Sequence, residues 1–175
     1  MAPPSTQEFE FGIKYLPASA KLPTLGRDDV PRVIHRLRDH GIRYVRLQWV
    51  DYTNITRNRI IPLLAFTELL GASRPGVGIM TAVFGLIGLS LAPGFSGTGE
   101  YLYTPDLSSI RLCGYAPGHA SLLGWFEEKL PIPNQVGKDS LKVSLCPREL
   151  LRGIVKCVAQ MSAVDMLTKS FSFFS

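Results

Sequence analysis

The rhythm of apolar and polar positions changes several times along the chain, and each change marks an element. In "DDVPRVIHRLRDHG" (Asp28–Gly41), Val30, Val33, Ile34 and Leu37 recur at helical spacing. Asp28 or Asp29 can cap that helix, Pro31 suits its first turn, and Gly41 can end it. "IRYVRLQWV" then alternates, with Val45, Leu47 and Trp49 on one side and Tyr44, Arg46 and Gln48 on the other. That is the pattern of a half-buried strand. "RNRIIP" reads as a second, shorter strand, which Pro62 ends or places at a sheet edge. Residues Asp51 to Thr56 join the two strands as a hairpin loop, and "LLAFTELLG" reads as a short helix closed by Gly71.

Farther along, "EYLYTPDLSSIRLCG" offers two short strands around a Pro-Asp turn, and "HASLLGWFEE" offers another strand. The loop "KLPIPNQVGKDS" follows. "LCPRELLRGIVKCVAQM" then predicts a helix, with Pro147 near its start and Leu150, Leu151, Ile154, Val155 and Val158 as a buried stripe. The sum is an α+β fold, a mixed sheet of about five strands with helices packed against it. Three regions are expected: an irregular arm over 1–26, which holds four prolines; a folded body over 27–146; and a helix with a tail over 147–175.

The stretch from Pro75 to Gly99 carries no charge and is long enough to suggest a membrane span. Glycines at 76, 78, 85 and 88 and Pro93 near its far end favour a buried, turn-rich segment instead. Composition adds boundaries. The chain has 175 residues, 46% hydrophobic and 19% charged, which suits one globular domain rather than a disordered chain. Its net charge of +5 is uneven: eight arginines stand against four aspartates between Arg27 and Arg59. Such a patch attracts nucleic acid, lipid or an acidic ligand, or meets an acidic neighbouring subunit. It lacks the aromatic interleaving of nucleic-acid surfaces. Cys113, Cys146 and Cys157 are too scattered for a disulfide framework or a metal site, so a reduced, cytoplasmic compartment is expected. The start has no secretory signal pattern, and the sequon at Asn54 is read as chance.

Candidate chemistry centres on Asp51, an isolated acid among arginines at the end of a strand. A general acid or base must be held near its proton, and basic neighbours keep such a group ionised. The ordinary role of a loop aspartate is to form the turn. "GFSGTGE" (Gly94–Glu100) resembles a glycine-rich anion loop, but strand residues follow it where a helix start is needed, so it reads as a connector. His35 and His40 read as surface residues, and His119 is the only histidine after position 40, which leaves no nucleophile with a base partner. Glu127 and Glu128 face opposite sides of a strand, and Glu8 and Glu10 lie in the arm. The chain holds no complete active site.

Four segments in order then resemble the amino-terminal region of the glutamine synthetase family, closest to its fungal glutamine-synthetase-like members. They are "RYVRLQWVDYTNITRNRIIP", "GVGIMTAVFGL", "YLYTPDLSSIRLCGYAPGHASLLGWF" and "LCPRELLRGIVKCVA", covering roughly residues 28 to 159. The resemblance implies a β-grasp domain and makes the charge-free segment a buried connection rather than a membrane span. It implies ATP-dependent ligation of ammonia or an amine to glutamate through γ-glutamyl phosphate, with Mg2+ or Mn2+ on the phosphates. ATP and the metals are expected for the full-length family, with none bound by this chain itself. The partner implied is the catalytic domain of a neighbouring subunit in a homo-oligomer, with neither nucleic acid nor membrane. Asp51 matches the family's aspartate that completes the neighbour's ammonium pocket. In the family a Glu-x-Glu strand follows the last helix; here "QMSAVDMLTKSFSFFS" follows, so the chain is expected to lack the catalytic domain and to be inactive alone. The alternative is a non-catalytic module that docks on full-length subunits through the hairpin edge and tail.

Overall fold

Alternation along β1 (Tyr44–Val50) decides which side of the sheet is dry: Val45, Leu47 and Trp49 are buried, while Tyr44 and Val50 are exposed. The computed structural model describes residues 27–134, 136 and 140–171, with 27 and 162–171 given by backbone alone. The 1–26 arm, with Glu8 and Glu10, and residues 172–175 lie outside the described residues.

The first helix, α1 (Val30–Asp39), follows the expected spacing and buries Val33, Ile34 and Leu37. Its ends differ from each other. Asp29 makes no side-chain cap and instead accepts a hydrogen bond from Arg32 at 2.8 Å, whereas Gly41 takes φ +66° and turns the chain into β1. β2 (Thr56–Pro62) runs antiparallel to β1, and α2 (Leu63–Leu70) follows it, burying Leu63, Phe66 and Leu70.

Next come β3 (Val77–Met80), a tight turn over Thr81–Phe84, and a small hairpin of β4 (Leu86–Ile87) and β5 (Ser90–Leu91). β6 (Glu100–Pro105), β7 (Arg111–Leu112) and β8 (His119–Glu127) complete the sheet, in the order β2-β1-β8-β6-β3 with β7 also on β8. β8 is parallel to β1, with Tyr44 opposite His119, and antiparallel to β6 and β7. A parallel pair requires a long crossover, and everything from α2 to β7 supplies it. This mixed sheet with its helices is the α+β, β-grasp-like architecture expected.

The core lies on the face that carries α1 and α2. An aromatic group holds its far end: Phe126 has ring centroids 4.5 Å from both Phe84 and Tyr103 and 5.9 Å from Trp49. Offset and edge-on contacts of this kind stabilise beyond their buried area.

Two expectations need correction. The charge-free stretch is only partly buried: Ile79, Thr81 and Phe84 are covered, but Ile87 and Leu89 at the hairpin tip are exposed. Among the described residues no helix is long and apolar enough to cross a membrane. The last helix, α3 (Pro147–Phe171), forms as expected, yet Leu150, Leu151, Ile154, Val155 and Val158 are all exposed. Apolar spacing shows that a helix has a face to cover, not which chain covers it. Here α1 and α2 already fill the dry face, and among the described side chains α3 meets the domain through its first turns. Arg148 and Arg152 lie over the Trp125 ring, at 4.0 and 4.6 Å from its centroid, and Arg148 pairs with Asp106 at 2.7 Å.

Truncating the aromatic group tests this core. Phe126→Ala is expected to cost about 3–5 kcal/mol, measured as a lower urea midpoint with an unchanged slope.

Candidate functional site

Asp51 closes β1 and opens the hairpin loop, and its environment is built by the residues that follow it. The Thr53 amide and hydroxyl donate to Oδ1 at 2.9 and 2.7 Å, and the Ile55 amide donates to the same oxygen at 2.9 Å. Arg57, at the foot of β2, donates through Nε to Oδ2 at 2.5 Å. The backbone closes the same loop: Asp51 N donates to Ile55 O and Asn54 N to Asp51 O, each at 3.1 Å. Asn54 takes φ +61°, a left-handed conformation that Asn tolerates better than most residues.

The Asp51 side chain is 0% exposed. Burial by itself pushes the carboxyl up. The Thr53 hydroxyl, the Ile55 amide, the Arg57 guanidinium and the Thr53 amide together outweigh it and hold the group below its ordinary value of 3.8. Asp51 is therefore a charged, internally satisfied carboxylate. Its Oδ2 accepts one hydrogen bond, from Arg57, where a carboxylate oxygen has room for two.

Arg57 carries the connection onward, with Nη2 donating to Leu86 O at 2.7 Å. The Tyr52 amide donates to Phe84 O at 2.9 Å, and its ring sits 5.6 Å from that of Phe95. The charge-free stretch thus serves as the seat of the Asp51 loop. Gly85 is required at that seat, since a Cβ there would stand 2.3 Å from the Phe95 ring. Arg57 escaped the sequence reading, although an acid followed by Thr two residues later and Arg six later across a hairpin is a usable signal.

The other candidates are not brought to Asp51. In the Gly94–Glu100 loop the carbonyls of Ser96 and Thr98 converge on the Thr81 hydroxyl, at 3.1 and 2.8 Å, which is the wrong polarity for an anion cradle. His35 pairs with Asp39, His40 bonds the Arg36 carbonyl, and His119 accepts from Arg46. Glu127 pairs with Arg74 at 3.2 Å. An apolar groove of about 210 Å³ opens between the end of β1 and the start of α3, lined by Trp49, Val50, Tyr103, Leu123, Phe126 and Leu151 among others, with Asp51 outside it. Among the described residues no group of three or more His, Cys, Asp or Glu is placed to hold a metal ion.

The β-grasp-like sheet is the architecture that the resemblance to glutamine-synthetase-like amino-terminal regions implies, and one curated relative is similar over about half of the chain. No family model matches the chain. Protein fluG of Emericella nidulans (strain FGSC A4) is 30% identical over 90 residues, a match covering 51% of this chain and 10% of fluG. Two solved structures were also found, a GmaS/ADP complex in conformation 1 and apo GmaS without ligand. They align at 20% and 18% identity, with TM-scores of 0.41 and 0.42. Each alignment covers 55% of this chain, and 20% and 21% of the respective GmaS chains. The chain thus spans about a tenth of fluG and about a fifth of the GmaS structures.

The depressed carboxyl gives a signed pH dependence. Its stabilisation is full above 3.8 and is lost as pH falls through the lower folded-state value. Asp51→Asn is expected to cost about 1–3 kcal/mol at neutral pH. Urea midpoints of the two proteins should converge as the pH drops below 3.8.

Proposed function

We propose that this chain is the β-grasp module of a glutamine-synthetase-like protein of nitrogen metabolism, working in a cytoplasmic setting on a neighbouring subunit rather than by itself. The family reaction, ATP-dependent ligation of ammonia or an amine to glutamate, then belongs to an assembled oligomer whose catalytic domain holds the nucleotide and metals. One observation carries the reading: the hairpin that matches the family's aspartate strand ends in a loop locked around the charged Asp51.

In this reading Asp51 has two tasks. Within the chain it fixes the loop and, through Arg57, the hairpin beneath it. Towards the neighbour it contributes negative charge to the ammonium site, through the acceptor position still open on Oδ2. Its side chain is covered by its own loop, so contact with an ammonium ion requires residues 52–55 to shift as the subunits meet. Cys113 and Cys146 are buried thiols and Cys157 an exposed one, none of them disulfide-bonded, which accords with a reducing compartment.

A γ-glutamyl transfer assay with Mg2+ or Mn2+ tests the proposal. The chain alone is expected to show no turnover, and to co-elute with a full-length glutamine-synthetase-type protein when the two are mixed. Turnover by the chain alone overturns the claim that it depends on a partner. Failure to form mixed oligomers overturns the docking.

A further inference from the structure

Strand pairing brings residues from four strands onto the sheet face that α1 and α2 leave bare. Ile60 of β2 stands opposite Arg46 of β1, Arg46 opposite Ser121 of β8, and Ser121 opposite Arg111 of β7. Directly paired residues share a face, so these four form one row across the sheet. The two arginines sit two strands apart, about 10 Å between backbones. In the adjacent row Tyr44 stands opposite His119, and their rings stack at 4.9 Å.

The charged groups of this patch are donors. Arg46 gives Nε to His119 Nδ1 at 3.2 Å and lies 5.5 Å from the Tyr115 ring centroid, which fixes its direction and leaves its terminal nitrogens uncommitted. Arg111 bonds the Ile110 and Ser108 carbonyls through Nη1 alone. With His119 Nδ1 accepting, its proton is on Nε2, which adds a further donor. Among the described residues no carboxylate pairs with Arg46 or Arg111. The acids found on this face are committed elsewhere: Glu127, at the far end of β8, is joined to Arg74, and Asp106 is joined to Arg148, which lies over Trp125. Tyr44 and Ile60, 39% and 46% exposed, put apolar surface beside the guanidiniums.

We infer that this bare face between β2 and β7 docks an acidic, extended segment of a partner protein, with Arg46 and Arg111 taking its carboxylates and Tyr44 and Ile60 its apolar side chains. Guanidinium groups suit carboxylates because two parallel N–H bonds meet both oxygens. A second copy of the chain is a poor occupant, since it carries the same +5. Nucleic acid is disfavoured by ring geometry: Tyr44 and His119 turn their faces to each other, and Tyr115 turns one to Arg46, whereas base stacking needs open rings. This inference stands apart from the ligase reading, since it uses neither Asp51 nor the loop.

The test uses the full chain and three labelled probes in fluorescence anisotropy: a short alternating Glu–Leu peptide, its Gln–Leu counterpart and an oligothymidylate of matched charge. The Glu–Leu peptide is expected to bind and to weaken with salt, and the Gln–Leu peptide to bind poorly. Arg46→Gln and Arg111→Gln should each weaken binding about three- to tenfold, the scale of one partly exposed charge-assisted pair. Arg38→Gln, the same charge change on α1, should leave it unaltered. Arg46→Lys should recover part of the loss. Arg111 is exposed on a two-residue strand, so its substitution leaves the core intact and reads binding even if the Arg46 variant unfolds. Equal affinity in the Arg38 and Arg111 variants, absence of peptide binding, or tighter binding of the oligothymidylate each overturns the inference.

Discussion

A carboxylate removed from water must find its hydrogen bonds within the chain or lose its charge, and at Asp51 the next six residues supply them. That requirement fixes the β1–β2 loop from within, because two backbone amides and a hydroxyl must point at one oxygen. It also fixes Arg57, whose guanidinium is shared between the carboxylate and the Leu86 carbonyl. The loop and the small β4–β5 hairpin are consequently one unit. The glycine-rich, charge-free stretch makes sense as the other half of that unit. It supplies the carbonyls of Phe84 and Leu86 and an aromatic floor of Phe84 and Phe95, against which Tyr52 packs.

A second connection runs from the other edge of the hairpin, where Arg59 donates to the Gly78 carbonyl at 3.1 Å. β2 and β3 are the two ends of the strand order, so Arg59 ties the sheet across its opening, while Arg57 ties β2 to the β4–β5 hairpin. Edge strands otherwise present unpaired backbone groups to any passing chain. A long charged side chain reaching across the gap limits that exposure at both ends at once.

The parts legible in the sequence were those whose evidence is local. Helical spacing gave α1, an apolar run closed by glycine gave α2, and alternation gave β1 with Val45, Leu47 and Trp49 on one side. β8 was legible as a strand, though apolar residues on both its faces left its buried side open. β3, β4 and β5 were not separable, because glycine and unbroken apolar character erase the period that distinguishes strand from helix. The β1–β8 pairing was invisible for a different reason: it joins Tyr44 to His119 across a long crossover, and nothing near either residue announces the other. Asp51 stood out because acids are scarce around it, and the turn-forming role assigned by spacing is the one its hydrogen bonds perform. The exposed stripe of α3 reversed expectation because periodicity reports a face, not its partner.

Arginine is used in two ways here, and the difference separates architecture from surface. Arg57, Arg74, Arg148 and Arg152 each meet a carboxylate, and each joins pieces distant in sequence or steadies a helix start. Once paired they present little net charge, and Arg148 and Arg152 add their planes to Trp125. Arg46 and Arg111 are oriented by a histidine and by carbonyls, which direct a guanidinium without neutralising it. A cation held in place by neutral groups keeps its field and gives up less side-chain entropy when a carboxylate arrives. On the part of the sheet face between β2 and β7, away from the start of α3, that combination is the arrangement of a binding surface rather than of a fold contact.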